Sequence, residues 1–267
     1  MIRVEKGTFD YSGTSVFEDI DLHLNRGEIL CLFGPNGCGK TTLIDSILGH
    51  HRLRSGKIIV DGRDQCEYSS RELARRIAYV PQNHEKTFPY SVMEVVVMGR
   101  TPHCNGLTSP GKEDYKIADR ALEMAGVSHL RERIYTKISG GETQLVILAR
   151  ALAQEAPVII MDEPASHLDF RHELVLLETV ADLVKEKGLS IIMSTHSPNH
   201  AFYFENRGIP ARVALMNDKK FVATGAPAEV LSEKIMREIF GIDSKLVSEK
   251  ISDGVSGTFM LPYRVIR

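Results

Sequence analysis

Lys40 closes a glycine-rich run, Gly34-Pro35-Asn36-Gly37-Cys38-Gly39-Lys40-Thr41-Thr42, set directly after the apolar residues Ile29 to Phe33. The run fits G-x-x-x-x-G-K-[ST]. Glycines at this spacing let consecutive main-chain N–H groups turn inward on phosphate, at the positive pole of the helix that follows. In that chemistry Lys40 reaches the β- and γ-phosphates and the Thr41 hydroxyl ligates Mg²⁺. Further along, the apolar run Val158-Ile159-Ile160-Met161 ends in Asp162-Glu163. Two carboxylates at the end of a buried strand are costly unless they meet a cation or do chemistry. Asp162 is placed to hold Mg²⁺ through water, and Glu163 to polarise an attacking water.

A second glycine turn, Ile138-Ser139-Gly140-Gly141-Glu142, precedes another helical stretch. The first string alone says that a nucleotide binds. The two together suggest an ATP site assembled from two copies of the chain. A simple P-loop kinase has no use for the second turn.

These groups need a scaffold, and short apolar runs alternating with longer helical stretches describe an α/β fold. Strands are expected at Ile29–Phe33, Ile58–Val60, Ile77–Val80, Val158–Asp162, Ser190–Ser194 and Val213–Met216, and several are apolar throughout, as in a sheet covered on both faces. Helices are expected at Thr41–Leu48, Glu113–Ala125, Gln144–Ala153 and Pro227–Phe240, with Thr101–Gly111 a loop and a polar tail after Gly241. The helical character of 91–154 reads as a subdomain inserted into an α/β core of 1–90 and 155–225, followed by a C-terminal helix and tail at 226–267.

The 267 residues suit one large domain, and 33 basic against 35 acidic residues give a net charge of -2. That balance exerts no global pull on nucleic acid or anionic lipid, and no nucleic-acid partner is expected. Four scattered cysteines (Cys31, Cys38, Cys66, Cys104) without a CxxC pair suit a reducing compartment. No signal peptide is visible, and no apolar stretch approaches the roughly 20 residues that span a bilayer. Membrane work would require another chain.

From Tyr11 to about Phe240 the motifs and their order resemble the nucleotide-binding subunit of an ATP-binding cassette (ABC) transporter. The resemblance implies a P-loop NTPase (RecA-like) core with an antiparallel β-subdomain and an inserted α-helical subdomain. It makes Ile138–Glu142 the signature turn, which caps the γ-phosphate bound by the opposite subunit. Ser139 would donate its hydroxyl, Gly140 and Gly141 their N–H groups, with Glu142 completing the turn. Gln82 resembles the Q-loop residue that senses Mg²⁺ and water and contacts the membrane partner. His196 resembles the switch histidine at the γ-phosphate, Tyr11 the ring stacked on adenine, and Ser166-His167-Leu168-Asp169 the D-loop crossing the dimer interface. His200 lies four residues after His196, and a metal pair is a poor reading of the two. Thr143 and Cys38 depart from the family pattern, which usually has a large residue and a small one there. Neither removes a phosphate ligand.

The same resemblance implies ATP and Mg²⁺ as cofactors and a homodimer in the ATP-bound state. It also implies separate integral membrane permease subunits, an indirect link to a substrate-binding protein, and a peripheral place on the cytoplasmic face of the cell membrane. Val92–His103, with its Gly99-Arg100-Thr101-Pro102-His103, is similar to a stretch in ATPases importing ferric siderophores, haem and cobalamin, with molybdate or tungstate relatives. The alternative is a soluble, non-transport cassette ATPase of the iron–sulfur assembly type. A non-enzymatic nucleotide sensor would be expected to lack Glu163 or His196.

Overall fold

The computed structural model describes residues 1–104, 109–252 and 255–266. Two compact units divide the chain: Met1–Cys66 with Ser190–Arg267, and Glu67–Leu189.

The first unit opens with strands β1 (Ile2–Tyr11) and β2 (Thr14–Leu24). In β2 the buried Phe17, Ile20, Leu22 and Leu24 are separated by exposed or half-buried residues, the alternation of a strand with one wet face. Next come β3 (Ile29–Phe33), helix α1 (Lys40–Ile47), β4 (Ser55–Val60) and the short β5 (Arg63–Asp64). Strands β2-β1-β4-β5 form an antiparallel sheet in that order. All five residues of β3 are buried, so both of its faces are covered.

The second unit holds α2 (Ser70–Ala74), β6 (Ile77–Val80), α3 (Val92–Val97), α4 (Lys112–Met124), α5 (Gly140–Ala153), β7 (Val158–Met161) and α6 (Phe170–Lys187). Its two strands run parallel, Ile77 opposite Val158 through Val80 opposite Met161. Helix α5 starts at Gly140 rather than at Gln144, so the glycines of the second turn are its first residues. Ser139 and Glu142 form a capping box there, which stabilises an otherwise weak glycine start. Of the expected loop 101–111, Thr101–His103 belong to a 3₁₀ turn over Met98–His103, and 105–108 lie outside the described residues.

The chain then returns to the first unit with β8 (Ser190–Thr195), α7 (Pro198–Asn206), β9 (Ala211–Asn217), β10 (Lys220–Gly225), α8 (Pro227–Val230), α9 (Glu233–Phe240), β11 (Ile242–Ser252) and β12 (Val255–Val265). Strand β3 lies between β8 and β9, parallel to both. The expected helix Pro227–Phe240 is two helices, because Ser232 leaves the helical backbone and caps α9 through Ile235 N–H. The expected tail is an antiparallel hairpin of β11 and β12. Two asparagines of α7 hold it: Asn199 exchanges two hydrogen bonds with Met260, and Asn206 two with Thr258.

Candidate active site

In the first unit the glycine run leaves β3 and enters α1. Gly34 has φ +154°, and a Cβ on it would stand 2.3 Å from the Met216 carbonyl oxygen. Only glycine lets the loop pass so close to β9. Gly39, at φ 108°, is the N-cap of α1 and supplies no side-chain cap. A helix start without a side-chain cap is the arrangement in which main-chain N–H groups can serve an external anion. Lys40 is buried, and its ammonium donates to the carbonyls of Gly34 at 2.9 Å and Pro35 at 3.1 Å. The lysine is drawn back over the loop that phosphate would occupy. Asn36, Gly37 and Thr41 are exposed along the same loop, Thr42 and Pro35 half-buried, and Cys38 donates its N–H to Pro35 at 3.4 Å. A cradle pressed against β9 at Gly34, left-handed at Gly37 and Gly39, and leading into a helix start without a side-chain cap fits a polyphosphate.

The second unit carries the carboxylates. Asp162 is 2% exposed, and its N–H continues the ladder to the Val80 carbonyl at 2.9 Å. The next residue, Glu163, takes φ 42°, a backbone that non-glycine residues adopt at a cost of about 1–3 kcal/mol. Strain at a residue proposed to activate water sits where such strain usually serves function. Gln82 donates from Nε2 to Glu163 Oε2 at 3.1 Å. With its nitrogen so used, the amide oxygen is the Gln82 atom that remains for a cation. Hydroxyl, carboxylate and amide oxygens are the hard donors that Mg²⁺ prefers.

Ser139, exposed, caps α5: its hydroxyl oxygen accepts from Glu142 N–H at 3.2 Å, while Glu142 accepts from Ser139 N–H at 2.8 Å. The hydroxyl hydrogen of Ser139 is not consumed by that bond. The Ser139 N–H above all holds the Glu142 carboxyl below the usual carboxylate range, so the box stays ionised. A Cβ on Gly140 would meet nothing within 4 Å, whereas one on Gly141 would stand 2.3 Å from the His172 ring. Gly141 is thus required by packing, and Gly140 leaves open space in front of the helix start. His172 is held by Asp169 Oδ2 at 2.8 Å, tying the stretch read as a D-loop to the glycine turn. Because a carboxylate only accepts, His172 Nδ1 carries the hydrogen. Thr143, the family departure, spends its hydroxyl on the Ser139 carbonyl at 2.6 Å.

His196 is exposed just beyond β8. The turn that presents it is fixed by Thr195 Oγ1, which meets His200 Nδ1 at 2.7 Å and accepts from Ser197 N–H at 3.0 Å. His200 is thus a buried partner of Thr195. Tyr11 is 48% exposed at the end of β1, edge-on to Phe9 with centroids 4.8 Å apart. Gln82, Asp162, Glu163 and Ser139–Glu142 belong to the second unit; Tyr11, the glycine loop and His196 belong to the first.

Sequence reasoning took one group only as a family likeness and passed over another. Gly99 presses on the Arg150 carbonyl, where a Cβ would stand at 2.1 Å. Beside it the buried Arg100 binds Asp114 at 3.0 Å, the Ala153 carbonyl at 2.7 Å and Glu155 at 2.8 Å. The Gly-Arg-x-Pro-His stretch is therefore a knuckle seated on the end of α5. His84, Lys86, Tyr135 and Arg150 form a second polar cluster. Residue types alone could not have found either, because the partners are distant in sequence.

The run G-x-x-x-x-G-K-T, leading from a strand covered on both faces into a helix start without a side-chain cap, is that of a P-loop nucleoside triphosphatase. The chain belongs to the ABC transporter family: the family model described as ABC transporter matches residues 17–166. It is an ATP-binding subunit of that family, with no helix among the described residues long and apolar enough to cross a membrane. The chain is 34% identical over 240 residues to the molybdate import ATP-binding protein MolC of Haemophilus influenzae, covering 90% of this chain and 87% of the relative. It is 33% identical over 257 residues to the ferric enterobactin transport ATP-binding protein FepC of Escherichia coli, covering 96% and 92%. Among solved structures, a metal-chelate type ABC transporter in an inward-facing conformation matches with a TM-score of 0.85 and 32% identity, covering 98% of this chain and 97% of that one.

Proposed function

We propose that two copies of this chain close head to tail around two ATP molecules and that the cycle powers import of a metal chelate or metal oxyanion through separate permease subunits. The observation that carries the two-copy site is the glycine turn of α5, where exposed Ser139 and open-faced Gly140 offer an anion site. The cargo class rests on the relatives, whose names specify molybdate, ferric enterobactin, iron(3+)-hydroxamate and hemin import or transport. The chain would lie peripherally on the cytoplasmic face of the membrane, reaching a substrate-binding protein only through the permease.

In this reading Gly34 to Thr42 wrap the phosphates through main-chain N–H groups, Lys40 leaves its loop carbonyls for the β- and γ-oxygens, and Tyr11 stacks on the base. Mg²⁺, held by Thr41, Asp162 and Gln82, would neutralise phosphate charge. Glu163 accepts a proton from water as that water attacks the γ-phosphorus, and the bond to the ADP oxygen breaks. Gln82 orients the carboxylate through its 3.1 Å bond, and His196 positions the γ-phosphate. Ser139, Gly140 and Gly141 of the opposite copy stabilise the same phosphate, with Glu142 holding their turn in place. Closure is driven by the higher affinity of ATP for the closed state, and loss of the γ-phosphate releases it.

Glu163→Gln tests this. It should bind ATP, lose about 10²–10⁴-fold in turnover and accumulate as a dimer in ATP. A monomer under saturating ATP refutes the two-copy site. Uptake of radiolabelled siderophore, haem or molybdate by cells expressing the chain with its genomic neighbours tests the cargo class.

A further inference from the structure

The segment after Gln82 runs to the glycine turn and grips it. Lys86 donates from Nζ to the Ile138 carbonyl at 2.7 Å, one residue before Ser139. Its ammonium also lies 5.7 Å from the centroid of the Tyr135 ring. Two residues earlier, His84 meets Tyr135 Oη at 3.1 Å and Arg150 Nη1 at 3.1 Å. A guanidinium only donates, so His84 Nε2 is the acceptor, and in the neutral ring Nδ1 carries the hydrogen given to Tyr135. The tautomer is thereby set. Five residues from the glutamine that touches Glu163 thus include two whose side chains lock onto the approach to Ser139 and onto α5.

The position of Lys86 runs against ordinary helix electrostatics. The N-terminus of α5 is a positive pole, where cations are disfavoured. Yet a cation stands beside its first turn, attracted by Glu142, a contact that opposes the lowering of the ammonium's pKa by burial. A lysine kept there has something to hold, and the Ile138 carbonyl is what it holds.

We infer that Lys86 is a positioning residue for the phosphate site that one copy offers the other: it pins the Ile138 carbonyl so that Ser139 and the first N–H groups of α5 face outward, and it transmits displacement of Gln82 to that turn. The inference rests on the two-copy reading above. It adds that the residue in contact with the water-activating carboxylate and the turn that completes the partner's site move as one piece.

The test uses the purified full chain carrying Glu163→Gln, with ATP-driven dimerisation measured by sedimentation and ATP affinity of the monomer by a fluorescent nucleotide. Lys86→Met keeps the apolar stem and removes the donor and charge. A lost charge-assisted hydrogen bond costs about tenfold per turn, and two turns are lost at once, so the dimer constant should weaken about a hundredfold. Monomer affinity for the nucleotide should stay within about twofold, a split that general destabilisation would not produce. Lys86→Arg should recover most of the dimer, and it decides the matter if the Met variant folds poorly. Equal dimerisation with and without Lys86→Met overturns the inference while leaving the two-copy site standing. Absence of a dimer in Glu163→Gln alone overturns both.

Discussion

Removing the guanidinium of Arg100 tests whether the Gly-Arg-x-Pro-His knuckle is held by buried polar contacts. The side chain is 6% exposed and makes three bonds, to Asp114, Glu155 and the Ala153 carbonyl. In Arg100→Met the Ala153 carbonyl loses a 2.7 Å charge-assisted bond at the end of α5, at a cost of about 1–3 kcal/mol. Asp114 keeps the Gly111 N–H at 2.9 Å and Glu155 is half exposed, so each ion pair is discounted to about 0.5–1 kcal/mol. The sum is about 3 kcal/mol. Arg100→Lys can reach only one of the three acceptors and should recover less than half of it. Urea unfolding followed by far-ultraviolet circular dichroism would show a lower midpoint at unchanged slope. An unfolding free energy for Arg100→Met within about 0.5 kcal/mol of the parent, or full recovery by lysine, refutes the account.

Gly34→Ala should abolish nucleotide binding and destabilise the chain by about 2 kcal/mol, since its methyl group must displace the Met216 carbonyl; equilibrium dialysis with ATP and a thermal melt check both. A bulky maleimide on Cys38 should block ATP hydrolysis, with Cys38→Ser active and resistant. Cys31 should stay unmodified, because burial pushes its thiol up to about 12. His84 is held neutral by burial, then by Arg150 and Lys86, which sets its pKa below the ordinary value; Tyr135, pushed up to about 12, stays un-ionised beside it. Its stability contribution is whole above pH about 6.5 and is lost as pH falls through the lower folded value, so a melting profile should drop on that acid side. His84→Gln, which keeps one donor and one acceptor, should flatten the drop.

The phosphate loop was legible because its chemistry is local: glycines, lysine and threonine must be consecutive for main-chain N–H groups to converge. The apolar runs at Ile29–Phe33 and Val158–Met161 were legible because strands covered on both faces admit few polar residues. The start of α5 was readable in principle from the Ser139-x-x-Glu142 capping box and was hidden by the poor helix propensity of its glycines. Hairpin β11–β12 escaped because β11 mixes apolar and charged residues without a clean alternation and two asparagine side chains of α7 anchor the pair, which no periodicity reports. Gly99 and Arg100 read as a family tag, while their physical demand comes from Arg150, Ala153 and Asp114, distant in sequence.

The parallel neighbours of β3 have a consequence for synthesis. Ile29 is paired with Ile191 on one side and Ala211 on the other, so the strand carrying the glycine loop emerges from the ribosome long before either neighbour exists. The stretch Glu67–Leu189 is contiguous and is fully translated first. At about 5–20 residues per second, β3 waits on the order of ten seconds for β8, an apolar strand with both edges unpaired. During that interval it is open to chaperones or to β3 of a neighbouring nascent chain, and synonymous codons that slow translation between Leu32 and Ser190 would lengthen the exposure.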